Sequence, residues 1–234
     1  MPTPPDCEKA SRLQLQGMTS IDNHKSVLKR ILGPLVPRRL IEERDIFLRL
    51  GQAGRTYAKL RLLDIMGLRH SNQRSVAPGV RSFLFVCYGN IMRSPMAELM
   101  VKRALLESRQ EGITVLSAGI HATPGTEAHP RARLAAQEFG LPLDQHRSKL
   151  LTGEMVANAD VVFAMDFENQ AELLTQFPQA RDKIFLLSDY AEGEQRGRAI
   201  PDPYFGDQDE TSRCYAVLQI CANNLVKSIS VGPK

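Results

Sequence analysis

A cysteine and an arginine separated by five residues close an apolar run: Ser82-Phe-Leu-Phe-Val-Cys87, then Tyr-Gly-Asn-Ile-Met-Arg93-Ser94-Pro95. Cys-x5-Arg between a strand and a helix places a nucleophile where backbone N–H groups converge on an anion. The planar guanidinium of Arg93 offers a fork of donors that matches two phosphate oxygens. A thiol facing both a helix N-terminus and a guanidinium is stabilised as the thiolate, its nucleophilic form. Gly89 is expected to supply a backbone conformation closed to most residues. A phosphate ester also needs an acid for its leaving oxygen, and Asp202, stiffened between Pro201 and Pro203, is the candidate. Each residue has an ordinary explanation too. Cys87 could be a buried strand-end cysteine, Arg93 a solvated helix-start residue and Asp202 a turn residue. An arginine in a helix's first turn, however, opposes the helix dipole unless an anion balances it.

The elements that must position these residues alternate in type. Runs at 82–87, 113–117, 160–165 and 183–187 read as strands, and those at 95–108, 130–139, 167–177 and 211–228 as helices. Gly140 is a plausible stop for the second helix. This alternation predicts a doubly wound parallel sheet, with ligands bound beyond the carboxyl ends of the strands. Residues 1–26 carry no apolar period. Residues 27–68 follow a helical one, broken by Pro34 and Pro37 and again near Gly51 and Gly54. The expected division is a basic, mainly helical extension at 1–80, with a linker at 70–80, ahead of a domain at 81–230. Charge supports it: 14 Lys+Arg face 7 Asp+Glu in residues 1–80, against 16 and 19 in residues 81–234.

FVCYGNIMRSPMAE resembles the active-site signature of the low-molecular-weight protein tyrosine phosphatases. Four further segments match in order: Leu-Ser-Ala-Gly at 116–119, FGLPLDQHRSKLL at 139–151, ADVVFAMD at 159–166 and Asp202-Pro203-Tyr204. The resemblance covers about residues 82–228. It implies a four-stranded, Rossmann-like sheet of the phosphotyrosine phosphatase I-like kind, and hydrolysis through a phosphocysteine without cofactor or metal. It makes Cys87 the nucleophile and Arg93 the phosphoryl-binding residue. Asp202 is then the acid that later activates water. Tyr88, Gly89, Asn90, Ile91, Met92 and Ser94 complete the phosphate-binding loop, with Asn90 shaping it and Ser94 donating to the thiolate. His146 would support Asn90, though it also reads as a surface histidine. Tyr88 and Tyr204 would line the cleft, an aromatic wall suited to a phosphoaryl group.

This chain departs from the family in three places. Met92 stands where members usually carry a second cysteine. The loop after Gly119 (IHATPGTEAHP) lacks the aromatic residue often found there, which bears on phosphotyrosine preference. Residues 1–80 have no counterpart in the minimal domain.

Other readings are excluded or weakened by composition. Cys7, Cys87, Cys214 and Cys221 form no CxxC, and the 5 histidines form no HExxH, so a zinc site is not expected. No run spans a membrane and no secretory signal opens the chain, so a cytoplasmic location is expected. No nucleic-acid motif is present. An arsenate reductase of the same fold would use Cys214 and Cys221 as a relay, and a lapsed phosphatase would only bind phosphoproteins. The expected partner is a phosphotyrosine protein. A bacterial tyrosine kinase is the class that the resemblance suggests, and residues 27–68 are a candidate docking segment.

Overall fold

A computed structural model of the chain describes residues 38–68, 76–77 and 79–230. The tail at 1–26, the start of the helical pattern at 27–37 and Cys7 lie outside the described residues. The chain divides after Leu48 into two units. In the first, the described residues belong to helix α1 (Arg38–Arg49), whose last residue already counts with the second unit; Leu40, Phe47 and Leu48 are exposed and Arg44 pairs with Asp45 at 2.8 Å.

The second unit opens with a 3-10 turn at Gly51–Ala53, the break expected from the glycines, where Gly51 takes φ +52. Helix α2 (Gly54–Ile65) follows. Val76, in the stretch read as a linker, is buried, and its N–H donates to the Tyr190 hydroxyl at 3.2 Å. Four strands then form one parallel sheet in the order β2-β1-β3-β4, with β1 at Ser82–Cys87, β2 at Thr114–Gly119, β3 at Val161–Ala164 and β4 at Ile184–Leu186. The apolar run of β1 suits a strand buried on both faces. Phe83, Phe85 and Cys87 join the main core cluster, and by alternation Leu84 and Val86 face the other side.

Helix α3 (Arg93–Glu107) packs on β1, β2 and the last helix, α7 (Gln208–Ser230); α4 (Pro130–Glu138) also packs on α7. Pro130 sits at the first position of α4, the His129 side chain caps it, and Gly140 at φ +63 stops it. Helix α6 (Phe167–Gln176) packs on β3, β4 and α2. A short helix, α5 (Gly153–Asn158), falls where the sequence pattern predicts none, with Thr152 as its cap. Helix α3 starts two residues earlier than expected, so Arg93 itself is helical. Strand order reverses between β2 and β3 on either side of β1. Cys87 therefore ends the strand at the topological switch point, where such sheets bind ligands. No helix among the described residues is long and apolar enough to cross a membrane.

Candidate active site

The loop after β1 is buried and internally bonded. Cys87 is 3% exposed, and its Sγ lies 3.0 Å from Ser94 Oγ and accepts the Asn90 N–H at 3.2 Å. Asn90 is the keystone. Its Nδ2 donates to Ser94 Oγ at 2.8 Å and to Ser117 Oγ at 2.9 Å, while its Oδ1 accepts the Lys149 N–H at 2.8 Å. It is also the residue with positive φ, +53. This corrects the expectation for Gly89, which is not in the left-handed region and where an added Cβ would meet nothing nearer than the Ile91 side chain at 3.6 Å. Asparagine tolerates this conformation better than most residues.

The hydrogen bonds have a direction, set from their charged end. Lys102 pairs with Glu98 at 2.5 Å, and Ser117 donates its only proton to Glu98 Oε2 at 2.6 Å. Ser117 Oγ and Ser94 Oγ must then accept from Asn90. The Ser94 proton is left for Cys87 Sγ or for the Ala118 carbonyl at 3.3 Å. A thiolate, being the charged acceptor, draws that proton.

Glycine is required at 119 because the loop crosses directly over it. A Cβ there would stand 2.7 Å from Asn90 N and 2.8 Å from Tyr88 O, closer than real contacts allow. His146 is half-buried, and its Nε2 lies 2.7 Å from the Asn90 carbonyl. Burial lowers its pKa, outweighing that bond, so the ring is neutral at pH 7. Since a carbonyl only accepts, Nε2 carries the proton.

Arg93 is 2% exposed, so it is not a solvated helix-start residue. One amino group, Nη1, donates to Asp166 Oδ2 at 2.6 Å and to the Ile200 carbonyl at 3.1 Å; the other, Nη2, pairs with Asp202. Burial opposes its charge, but Asp166, Asp202 and Cys87 together outweigh burial and raise its pKa. No side chain caps α3, and its first turn holds no acid, so its N-terminal dipole is left for an anion. Asp202 is 39% exposed on its side chain and accepts the Tyr204 N–H at 3.1 Å.

The cleft has an aromatic rim. Tyr88, 54% exposed, lies 4.6 Å from the His121 ring, whose Nε2 is 2.6 Å from Glu172. His121 thus stands in the loop where an aromatic residue was missed. On the other side Tyr204 meets His129 edge-on at 5.6 Å and Phe205 at 5.0 Å. The structure brings Cys87, Asn90, Arg93, Ser94, His146 and Asp202 into one connected group. Asp166 and Arg131 were not singled out in the sequence. Asp166 carried a signal, since it precedes a helical run as a cap would, and its side chain accepts the Asn169 N–H at 2.7 Å.

Known proteins place this geometry. The family model described as "Low molecular weight phosphotyrosine protein phosphatase" matches residues 82–232. The chain is 35% identical over 149 residues to the low molecular weight protein-tyrosine-phosphatase Etp of Escherichia coli K12, covering 64% of this chain and 95% of that one. It is equally 35% identical, over 146 residues, to a protein-arginine-phosphatase of Bacillus subtilis, covering 62% and 95%. The crystal structure of the Erwinia amylovora tyrosine phosphatase AmsI superposes with a TM-score of 0.58 at 32% identity, over 64% of this chain and 94% of that one. A cysteine loop at the switch point of a four-stranded parallel sheet, matched through to its last helix, makes this chain a member of the low molecular weight phosphotyrosine protein phosphatase family.

Proposed function

We propose that the chain dephosphorylates phosphotyrosine in protein substrates by two displacements at Cys87. The observation that carries this reading is the chain of bonds from Glu98 through Ser117, Asn90 and Ser94 to Cys87 Sγ, beside the buried guanidinium of Arg93. The phosphoryl group takes the hollow of the loop and the fork of Arg93. Cys87 Sγ attacks phosphorus, the ester oxygen leaves, and Asp202 gives that oxygen its proton. Water then attacks the phosphocysteine. Asp202 takes a proton from the water, the P–S bond breaks, and inorganic phosphate leaves with the enzyme restored. In the free enzyme Asp202 pairs with Arg93. An arriving phosphoryl dianion competes for Arg93 and favours the protonated acid, the form that can donate.

Tyr88 and Tyr204 at the rim support a phosphoaryl group by stacking. A second substrate reading, phosphoarginine, is favoured by the relatives of that name at like identity and by the acid–histidine pair His121–Glu172 beside Tyr88. The relay of an arsenate reductase is disfavoured, because Cys214 and Cys221 are buried in α7 and burial pushes both thiols up to about 12. A cytoplasmic location, which keeps Cys87 reduced, goes with this reading. So does a bacterial tyrosine kinase as substrate or partner. Residues 27–68 would be the docking segment. Within the described part of it, Leu40, Phe47 and Leu48 of α1 are exposed, and so, on α2, are Leu62 and Ile65.

The test uses the full chain without added metal on nitrophenyl phosphate, then on phosphotyrosyl and phosphoarginyl peptides. Cys87→Ser is expected to abolish hydrolysis while still binding phosphate, and full activity in that variant would overturn the mechanism. Faster turnover of the phosphoarginyl peptide would replace the substrate reading.

A further inference from the structure

Two carboxylates stand together at the start of α6, each with its own arginine. Asp166 caps the helix and bonds Arg93 at 2.6 Å. Glu168, in the first turn, pairs with Arg49, the last residue of α1, two before the turn at Gly51–Ala53. Glu168 is 30% exposed on its side chain, and burial together with the charge of Asp166 raises its pKa, an effect that Arg49 opposes. Helix α2 then lies along α6. The Arg61 guanidinium sits 5.3 Å over the ring of Phe167, the residue between the two carboxylates, and Thr56 Oγ1 lies 3.3 Å from Thr175 Oγ1. Ala53 and Tyr57 are buried. Arg49, Ala53, Thr56, Tyr57 and Arg61 all precede the stretch matched by the family model.

Deprived of Arg49, a partly buried Glu168 beside Asp166 loses the cation that offsets its burial. The cation next nearest along the helix end is Arg93, which bonds Asp166, two residues before Glu168, at 2.6 Å and whose charge acts on Glu168. Turning toward Arg93 would draw the guanidinium off the phosphate site. Like charges held this close need separate partners.

We propose that residues 49–65 are part of the phosphate site: Arg49 pairs with Glu168 so that Arg93 stays with Asp166 and the phosphoryl group, while α2 fixes the helix end that carries Asp166. Arg49 is a positioning residue, acting on Arg93 through Glu168. The proposal rests on Arg93 binding phosphate, as in the reading above, but not on turnover.

Calorimetric titration of the full chain with inorganic phosphate, at low ionic strength, tests it. Arg49 is 62% exposed on its side chain, so its replacement leaves the fold intact. Arg49→Ala is expected to weaken phosphate binding about threefold, the scale of an exposed ion pair, and Arg49→Lys to retain most of the affinity. In a Glu168→Gln background the Arg49→Ala loss is expected to vanish, because no carboxylate is left to compete. Unchanged affinity in Arg49→Ala, or an equal loss in the Glu168→Gln background, would overturn the proposal. A chain that binds phosphate in this pattern yet hydrolyses nothing would overturn the catalytic reading and leave this one standing.

Discussion

The loop that holds Cys87 and the loop that holds Asp202 are built on opposite plans. In the first, polar side chains are buried and bonded inward: Asn90, Ser94 and Ser117 are fully covered and satisfy one another. In the second, Asp202, Tyr204 and Phe205 face solvent, with Phe205 93% exposed, and Pro203 alone is tucked in. There the backbone is held by two prolines and by Arg131, which donates to the carbonyls of Tyr204, at 2.5 Å, and Gly206. Satisfied buried networks are stiff because no member can move without orphaning another. The difference separates two tasks. In the proposed mechanism charge must be met by donors already in place, whereas Asp202, which pairs with Arg93, must be able to leave it when phosphate arrives.

The largest effect expected from this contrast is chemical. Among the described residues, a stiff, buried loop gives an oxidised Cys87 no reactive thiol to rescue it. Met92, whose side chain is buried in the same loop, cannot form a disulfide. Cys214 and Cys221 are kept protonated by burial, which pushes them up to about 12, and thiols make poor resolving groups. Peroxide is therefore expected to abolish activity, with dithiothreitol restoring little of it, since oxidation passes beyond the sulfenic acid. Met92→Cys should recover more fully. An activity assay before and after reductant decides, and full recovery of the unmodified chain would mean that another thiol reaches Cys87, with Cys7 the first to mutate.

Next in size is the acid itself. Asp202→Asn is expected to lower kcat by roughly 10²–10⁴, and less for nitrophenyl than for phenyl phosphate, because the better leaving group needs less protonation. Its Kd for inorganic phosphate should not weaken, since a neutral side chain no longer competes for Arg93. An equal kcat loss for the two esters would move the acid role elsewhere.

The sequence shows the two loops unequally. The phosphate loop is readable because its chemistry is local. Cys87, Asn90, Arg93 and Ser94 lie within eight residues, and the flanking strand and helix have plain signatures. What sets that loop's shape is less local. Nothing near Gly119 announces that the loop crosses so close that a Cβ there would stand 2.7 Å from Asn90 N, and local rules favour Gly89 over Asn90 for the left-handed position. Asp166 is readable as a helix cap, but its partner is 73 residues away. The packing of α2 on α6 is hidden for a related reason. Helix α2 buries Gly54 and Tyr57 but exposes Leu62 and Ile65, so its apolar residues do not mark the face that is covered. Arg131 carries no signal at all, being one basic residue among several at the start of a helix.

That residue gives the smallest effect and the sharpest division between the loops. Arg131 touches neither Cys87 nor Asp202, yet it holds the carbonyls on either side of Phe205, and the N–H of Tyr204 is in turn bonded by Asp202. Removing its guanidinium frees the backbone that aims the acid while leaving the bonds among Asn90, Ser94 and Ser117 as they are. Arg131→Ala is expected to lower kcat on phenyl phosphate about tenfold, the scale of one charge-assisted hydrogen bond in net terms. It should leave the Kd for inorganic phosphate unchanged, and Arg131→Lys should fall between. The loss should shrink on nitrophenyl phosphate. In an Asp202→Asn background it should disappear, because an acid already absent cannot be misplaced. Steady-state kinetics of the four chains on the two esters supply the cycle. Losses that add, or that are equal for both esters, would mean that Arg131 supports the phosphate loop or the fold at large, and the two loops would not be independent after all.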